Sequence, residues 1–358
     1  MKKNAAIFLF LALLTFSADS SYTYAAKTLS GGQNATGWLT SDAAGKTITV
    51  HSAVKTQYTP RNIEYRNNGD RVYFTLKDVV LTEGDEFLRE LYTGTYDDTG
   101  KKYTVTFLTG RSDIGNGVMT INDQYLQSVE VETNQEEGTT RLTFNGTDRN
   151  SYFAYTRNNP GITYITVLKP EAQARKLVVI DAGHGGKDSG AVFKNMLEKD
   201  LNLDIAKRLN RLLEKKGVKT YMLREDDSSI ANYERAYIAN KLNAKLYLSI
   251  HNNATNNKNL RGTMTLYCPS DNNSGFNGRD FASIVHRNML GSLRTVDRKT
   301  NGRSDLIVLK ATAMPAVISE VAYMTNSSDR SNLRSASFRQ KAAQALYNSV
   351  LKALAEVK

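Results

Sequence analysis

Cysteine, proline and histidine are all scarce in this 358-residue chain, and each scarcity removes a class of architecture. The single cysteine, Cys268, excludes an intrachain disulfide framework and any cysteine-rich zinc site. It reads as a small buried apolar side chain. Five prolines and 24 glycines argue against long disorder or a collagen-like repeat. Beyond an N-terminal apolar run, no stretch approaches 18 residues of apolar character, so no further membrane span is expected. No motif interleaves basic and aromatic residues in the manner of a nucleic-acid site. What remains is 40% hydrophobic and 23% charged, which suits a globular protein with a sizeable core. At roughly 100–200 residues per domain the length predicts two domains.

The N-terminus speaks for export. Lys2 and Lys3 precede an apolar run from Ala5 to Leu14, and small residues lead on to Tyr24-Ala25-Ala26. That order of charged, apolar and small residues predicts a secretory signal peptide over 1–26, with cleavage after Ala25 or Ala26. A mature protein in the cell wall, the periplasm or the medium is the expectation. The net charge of +11 is uneven: residues 1–26 carry +1, 27–170 carry −2, and 171–358 carry +12. A basic C-terminal half on an exported protein favours an anionic partner, such as cell-wall polymer, over nucleic acid.

Residues 27–168 read as all-β, with a sandwich as the economical architecture. Short Thr-, Tyr- and Val-rich runs at Lys46–His51, Arg71–Leu76, Lys102–Phe107, Ser128–Glu132 and Thr140–Phe144 alternate with turn clusters. A hairpin of Tyr152–Thr156 and Thr163–Leu168 closes the region. Residues 169–175 read as a polar linker. From 176 to 358 strands alternate with helices, which predicts an α/β domain with a largely parallel sheet flanked by helices. Expected strands are Lys176–Ala182, Lys219–Leu223, Lys245–Ile250, Thr263–Tyr267, Leu306–Leu309 and Ala316–Ser319. Expected helices are Lys199–Lys216, Ser229–Leu242, Gly278–Leu290 and Ser337–Ala355.

Two of the four histidines occupy equivalent places. His184 follows the first buried strand, flanked by glycines that permit a tight turn, and His251 follows the strand ending at Ile250. Ligands gather beyond the C-terminal ends of strands in open α/β sheets, so both rings can face one crevice. Glu198 stands at the front of a helix, and Glu320 follows the apolar Pro315–Ser319, where a charge needs a partner or a site. Two His and one Glu make a common open zinc shell, and a second Glu supplies the base that metal-assisted hydrolysis requires. His51 and His286 match no such pattern and read as a strand and a helix residue. On these residues alone, an exported zinc hydrolase of unspecified substrate and a wall-binding protein with an inactive domain both stay open.

Over about 175–356 the chain resembles the zinc-dependent N-acetylmuramoyl-L-alanine amidases, often called amidase type 3. The resemblance rests on Val179-Ile180-Asp181-Ala182-Gly183-His184-Gly185-Gly186 and Leu197-Glu198-Lys199-Asp200-Leu201-Asn202. It continues through Leu223-Arg224, Arg235 with Ala239-Asn240, Ser249-Ile250-His251-Asn252-Asn253, Gly262 with Tyr267, and Pro315 to Glu320 ending at Thr325-Asn326. It implies one Zn2+ held by His184, Glu198 and His251, with Glu320 as the catalytic glutamate. It also implies peptidoglycan as substrate. Tyr267-Cys268 and Ala322-Tyr323 depart from the family pattern, away from the implied ligands. Thr140–Leu168 is similar to the AMIN modules that target such amidases to the wall. Glu320 lies 69 positions after His251, and the stretches between them outside the expected strands and helix are polar and Gly-containing, with no apolar face for a helix that could plug the site.

Overall fold

The computed structural model describes residues 23–28, 35–41, 48–53, 62–68, 71–84, 89–109, 114–157, 161–170, 176–270 and 275–357, the first three as strand backbone alone. Most of the expected signal segment, and residues 171–175 of the expected linker, lie outside the described residues. The expected cleavage point falls within the strand Thr23–Thr28, which pairs antiparallel with Ala35–Ser41.

The N-terminal half is antiparallel β-structure. One sheet runs in the order Gly117–Thr120, Leu126–Asn134, Thr139–Gly146, Lys102–Leu108, Tyr92–Tyr96. A second runs Ser151–Arg157, Ile162–Leu168, Arg71–Lys77, Ile63–Asn68. Alternation decides which face is inside: Tyr103, Val105 and Phe107 are buried while Lys102 and Leu108 are exposed. Val72, Phe74 and Leu76 of the second sheet join Val129, Val131, Leu142 and Phe144 of the first in one apolar cluster. Phe74 and Phe144 meet edge-on, with ring centroids 5.3 Å apart. Lys169, read as linker, is buried here and donates to Asp123 Oδ2 at 2.7 Å and to Asn67 Oδ1 at 3.1 Å.

The C-terminal half is a six-stranded sheet with helices. In chain order its elements are β1 (Val178–Ala182), α1 (Glu198–Lys215), β2 (Thr220–Met222), α2 (Asn232–Lys241), β3 (Leu246–Asn253) and β4 (Thr263–Tyr267). There follow α3 (Gly278–Leu293), β5 (Asp297–Gly302), α4 (Ile307–Lys310), β6 (Ala316–Tyr323), α5 (Ser327–Arg334) and α6 (Ala336–Glu356). The sheet order is β2-β1-β3-β6-β4-β5. It is mixed rather than parallel throughout, because β4 pairs antiparallel with β6 while the other four pairings are parallel.

The helix Ser327–Arg334 and the hairpin of Val192–Phe193 with Met196–Leu197 are absent from the sequence expectation, and two further elements differ from it. Leu306–Leu309 is not a strand: Ile307–Lys310 is a helical turn, begun by Lys310 N bonding to Leu306 O at 2.9 Å. Val308 and Leu309 are buried there by packing against the sheet face in the cluster with Ile238 and Ile318, rather than by strand pairing. Conversely, the polar segment 297–302 is strand β5, because an edge strand tolerates charged, exposed side chains.

The two faces of this sheet are covered by different material. On one, Val178, Ile180, Leu246, Leu248 and Ile250 pack against Leu201, Ile205, Leu209 and Leu213 of α1, and against α3 and α6. The i, i+4, i+8, i+12 spacing on α1 puts those four residues on one stripe, each stabilising by about 1.5–3 kcal/mol on burial. On the other face, Val179, Tyr221, Leu223, Tyr247 and Ile318 join Ile238 of α2 and Leu309 of α4. Phe153, Tyr155 and Leu168 of the N-terminal half belong to this same cluster. Arg71 donates to Thr220 O at 2.8 Å and lies 4.6 Å from the Tyr221 ring centroid, and Glu90 accepts from Tyr237 Oη at 2.8 Å and pairs with Lys241.

Candidate metal centre

The site is assembled where β1 and β3 end. After Ala182 the backbone leaves the sheet through His184, Gly185 and Gly186, all with positive φ (+63°, +135° and +59°). For His184, a residue with a Cβ, this left-handed geometry costs on the order of 1–3 kcal/mol and must be imposed from outside. Gly183 is the other requirement: a Cβ there would sit 2.1 Å from His251 Nε2, so only glycine lets the second ring lie against this backbone. Glu198 is delivered by a tight hairpin, Val192-Phe193 against Met196-Leu197, turned by Lys194 and Asn195 at φ +47° and +62°. It is the first residue of α1, at the positive end of the helix.

The three side chains converge. One ligand atom each from His184, Glu198 and His251 falls within 4.8 Å of the others. Glu198 Oε1 lies 3.2 Å from His184 Nε2 and 2.9 Å from His251 Nδ1, and it also accepts from Asn252 N at 3.2 Å. Glu198 Oε2 accepts from Ala191 N at 2.9 Å. Burial opposes ionisation of this carboxyl, but both imidazoles outweigh it and hold it well below the usual carboxylate range. Burial likewise disfavours charge on His184, yet Glu198 and Asp188 outweigh it and raise the ring to about 9. Two imidazoles and a carboxylate crowded at this distance form a donor set that fits a divalent metal of the zinc type.

Glu320 stands beside this group. In the β3–β6 pairing its register partner is His251, so the two side chains leave adjacent strands at the same level. Its Oε2 is buried without a hydrogen-bond partner, and burial pushes the carboxyl up to about 7. An unpartnered, half-neutral carboxyl next to a metal-type donor set is the arrangement a general base needs. All four residues singled out from the sequence therefore come together. His51 lies in the strand Ile48–Ala53, away from them in the chain, and His286 is buried in α3, within 2.8 Å of Asp297 Oδ1.

A surrounding layer carries no role in the sequence reading. His184 Nδ1 meets Asp188 Oδ2 at 2.7 Å. Asn202 donates to Gly183 O at 3.1 Å and Glu198 Oε1 at 3.4 Å, and itself accepts from Asn252 Nδ2 at 2.8 Å. Arg224 donates to Ala182 O, Gly183 O and Lys199 O at 2.8–3.0 Å. The signal for these was present: Asn202 sits four residues after Glu198 on one helix face, and Asp181 interrupts a wholly apolar strand. Among the described residues, the span from β3 to β6 holds only α3 and the single turn α4 as helices. Phe281, Ala282, Val285 and Met289 bury α3 in the core, so it is no plug.

Comparison with known proteins bears on the family of the C-terminal half. The family model described as N-acetylmuramoyl-L-alanine amidase matches residues 178–352. The uncharacterized protein YqiI of Bacillus subtilis is 39% identical over 188 residues, covering 51% of this chain and 89% of its own length. The N-acetylmuramoyl-L-alanine amidase LytC of the same species is 33% identical over 207 residues, 58% of this chain but only 41% of LytC. The solved amidase AmiC2 of Nostoc punctiforme is 35% identical over 50% of this chain and 97% of its own, with a TM-score of 0.47. A family model matching residues 178–352, together with 39% identity across 89% of a curated relative, places the chain by its sequence: it belongs to the N-acetylmuramoyl-L-alanine amidase family.

Proposed function

We propose that the chain is an exported, zinc-dependent N-acetylmuramoyl-L-alanine amidase. Its reaction is hydrolysis of the amide between the lactyl group of N-acetylmuramic acid and the L-alanine of the peptidoglycan stem peptide. The observation that carries this reading is the convergence of His184, Glu198 and His251 within 4.8 Å, with Glu320 at the register position beside His251. The reading assigns the first three as metal ligands and Glu320 as the catalytic residue. Residues 176–358 are the catalytic domain, residues 27–168 a β-sandwich that targets or regulates it, and 1–26 the signal peptide.

When bound, zinc supplies Lewis-acid polarisation of the scissile carbonyl and acidifies water toward a pKa of ~7. The chain's own residues do the rest. Asp188 fixes the His184 ring through Nδ1 and so turns Nε2 toward Glu198. Glu320 takes a proton from the attacking water and returns it to the nitrogen of the departing alanine, so that the amine leaves neutral. A carboxyl lifted to about 7 is a stronger base than a solvated one and is well matched to that exchange near neutrality.

Support for an anionic wall partner comes from the +12 charge of residues 171–358. Intact peptidoglycan digested by the purified full chain with zinc tests the activity. Peptides with a free L-alanine amine and unbroken glycan strands are expected. Cleavage inside the stem peptide, or loss of acetyl groups from the sugars, would assign a different hydrolase. Sedimentation with wall fragments, before and after removal of their anionic polymers, tests the charge reading. Binding that is equal in both and indifferent to salt would refute it.

A further inference from the structure

We propose that Arg235, backed by Asp181, is a positioning residue that holds the His184 backbone in the orientation metal ligation requires. The inference rests on the metal reading above and concerns residues outside the ligand set. Arg235 lies on α2, on the face of the sheet opposite α1, and is buried. Its guanidinium meets the Asp181 carboxylate and donates to Ala182 O at 3.2 Å, Ile230 O at 3.1 Å and His184 O at 2.8 Å. It therefore grips the chain on both sides of the bend, at the last residue of β1 and at the left-handed histidine itself.

Asp181 is fixed in turn. Its Oδ2 accepts from Tyr247 Oη and from Ser249 Oγ, both at 2.7 Å and both on β3. Burial disfavours its charge, but Arg235 and the two hydroxyls outweigh that and keep the carboxyl ionised. A buried ion pair is a poor source of stability, because desolvating both partners offsets most of their attraction. What this one supplies is direction. The His184 φ of +63° is unfavourable for any residue but glycine, and the bond from Arg235 to the His184 carbonyl opposes its relaxation. Arg224 reinforces the preceding carbonyls, at 182 and 183, but does not reach that of His184. Only a planar fork can serve the carboxylate and the carbonyls at once, so lysine, a single point donor, cannot replace it.

The test uses the full chain with Arg235→Lys, which keeps the positive charge opposite Asp181. Three quantities are read: zinc affinity by chelator competition, the visible spectrum of the cobalt-loaded protein, and the melting temperature without metal. A positioning role predicts zinc binding weakened by about 10–100-fold and an altered cobalt spectrum, the size found when groups supporting metal ligands are removed. A lower melting temperature with zinc affinity within twofold of wild type and an unchanged cobalt spectrum would reduce Arg235 to a structural residue and overturn the proposal. Should Arg235→Lys fail to fold, Tyr247→Phe removes one hydroxyl from Asp181 and keeps the ring. It should weaken zinc by about threefold, the scale of a single hydrogen bond, and unchanged binding would again overturn the proposal. A wild-type chain that binds no zinc would sink the metal reading itself and this inference with it.

Discussion

The candidate metal centre and the seam between the two halves are built on the same six-stranded sheet, yet the centre crowds ionisable groups while the seam is filled mainly by apolar side chains. At the seam Arg71 pairs with Thr220 O and the Tyr221 ring, and the exposed Glu90 pairs with Tyr237 and Lys241, although Thr166 Oγ1, the register partner of Phe153, is buried without a hydrogen-bond partner. Phe153, Tyr155 and Leu168 fill the remaining volume. At the centre, Glu320 Oε2 is buried without a partner, His184 is held in a left-handed backbone, and carboxylates and imidazoles are crowded until their proton affinities move. A folding surface is held chiefly by apolar burial, whereas a reactive one concentrates ionisable groups for a ligand or substrate to meet.

Substitutions on the two sides should separate function from stability, and the largest effect belongs to Glu320. Glu320→Gln removes the base and should lower turnover by ~10²–10⁴ while leaving zinc content intact. Because Glu320 Oε2 has no hydrogen bond to lose and burial disfavours the carboxylate, the metal-free melting temperature should stay level or rise. A variant that keeps wild-type turnover would remove Glu320 from the chemistry.

The seam should answer in reverse. Phe153→Ala empties a buried aromatic position and should cost about 3–5 kcal/mol in denaturant unfolding, with turnover unchanged below the transition. Unaltered stability would mean that the two halves are not held by this cluster.

Proton linkage sharpens the contrast without any mutation. Burial lifts Glu320 from 4.5 to about 7, and in the metal-free protein His184 rises from 6.5 to about 9. In both cases the folded chain keeps a proton that the unfolded chain has released. The associated stability is complete below 4.5 for Glu320 and below 6.5 for His184, and it is lost as pH rises through about 7 and about 9. The metal-free melting temperature should therefore fall between pH 6 and pH 9. Saturating zinc should reverse the slope, since it takes the deprotonated ligands. A flat metal-free profile would refute the raised values.

The smallest effect is expected at the seam's edge. Glu90→Gln keeps a hydrogen-bond acceptor for Tyr237 and loses the half-exposed ion pair with Lys241. A change of about 0–1 kcal/mol, abolished by salt, is the expected outcome. A loss several times larger would show that this pair, rather than the apolar cluster, carries the seam.

Much of this was legible in the sequence, for reasons that differ by region. The continuous apolar run of β1 and the four-residue stripe on α1 announce their elements because burial alone dictates them. His184, Glu198, His251 and Glu320 were legible because few of their kind sit at strand ends and helix starts. The turn at Ile307–Lys310 was misread because the apolar run Leu306–Leu309 fits a buried strand as well as a helix, and periodicity over four residues does not decide between them. Strand β5 was missed because an edge strand needs no apolar pattern. The shared seam was invisible, since Phe153 and Tyr155 alternate just as they would in a β-domain folded by itself.

That seam has a mechanical consequence. The two halves are joined both by the covalent chain and by the cluster around Phe153, Tyr155 and Leu168. Cutting the backbone between Pro170 and Lys176 would sever the first link and leave the second. Two fragments that co-elute, and that part only in denaturant, would be the product of such a nick. A nick in this stretch would thus leave the C-terminal half held to its partner half by non-covalent packing alone.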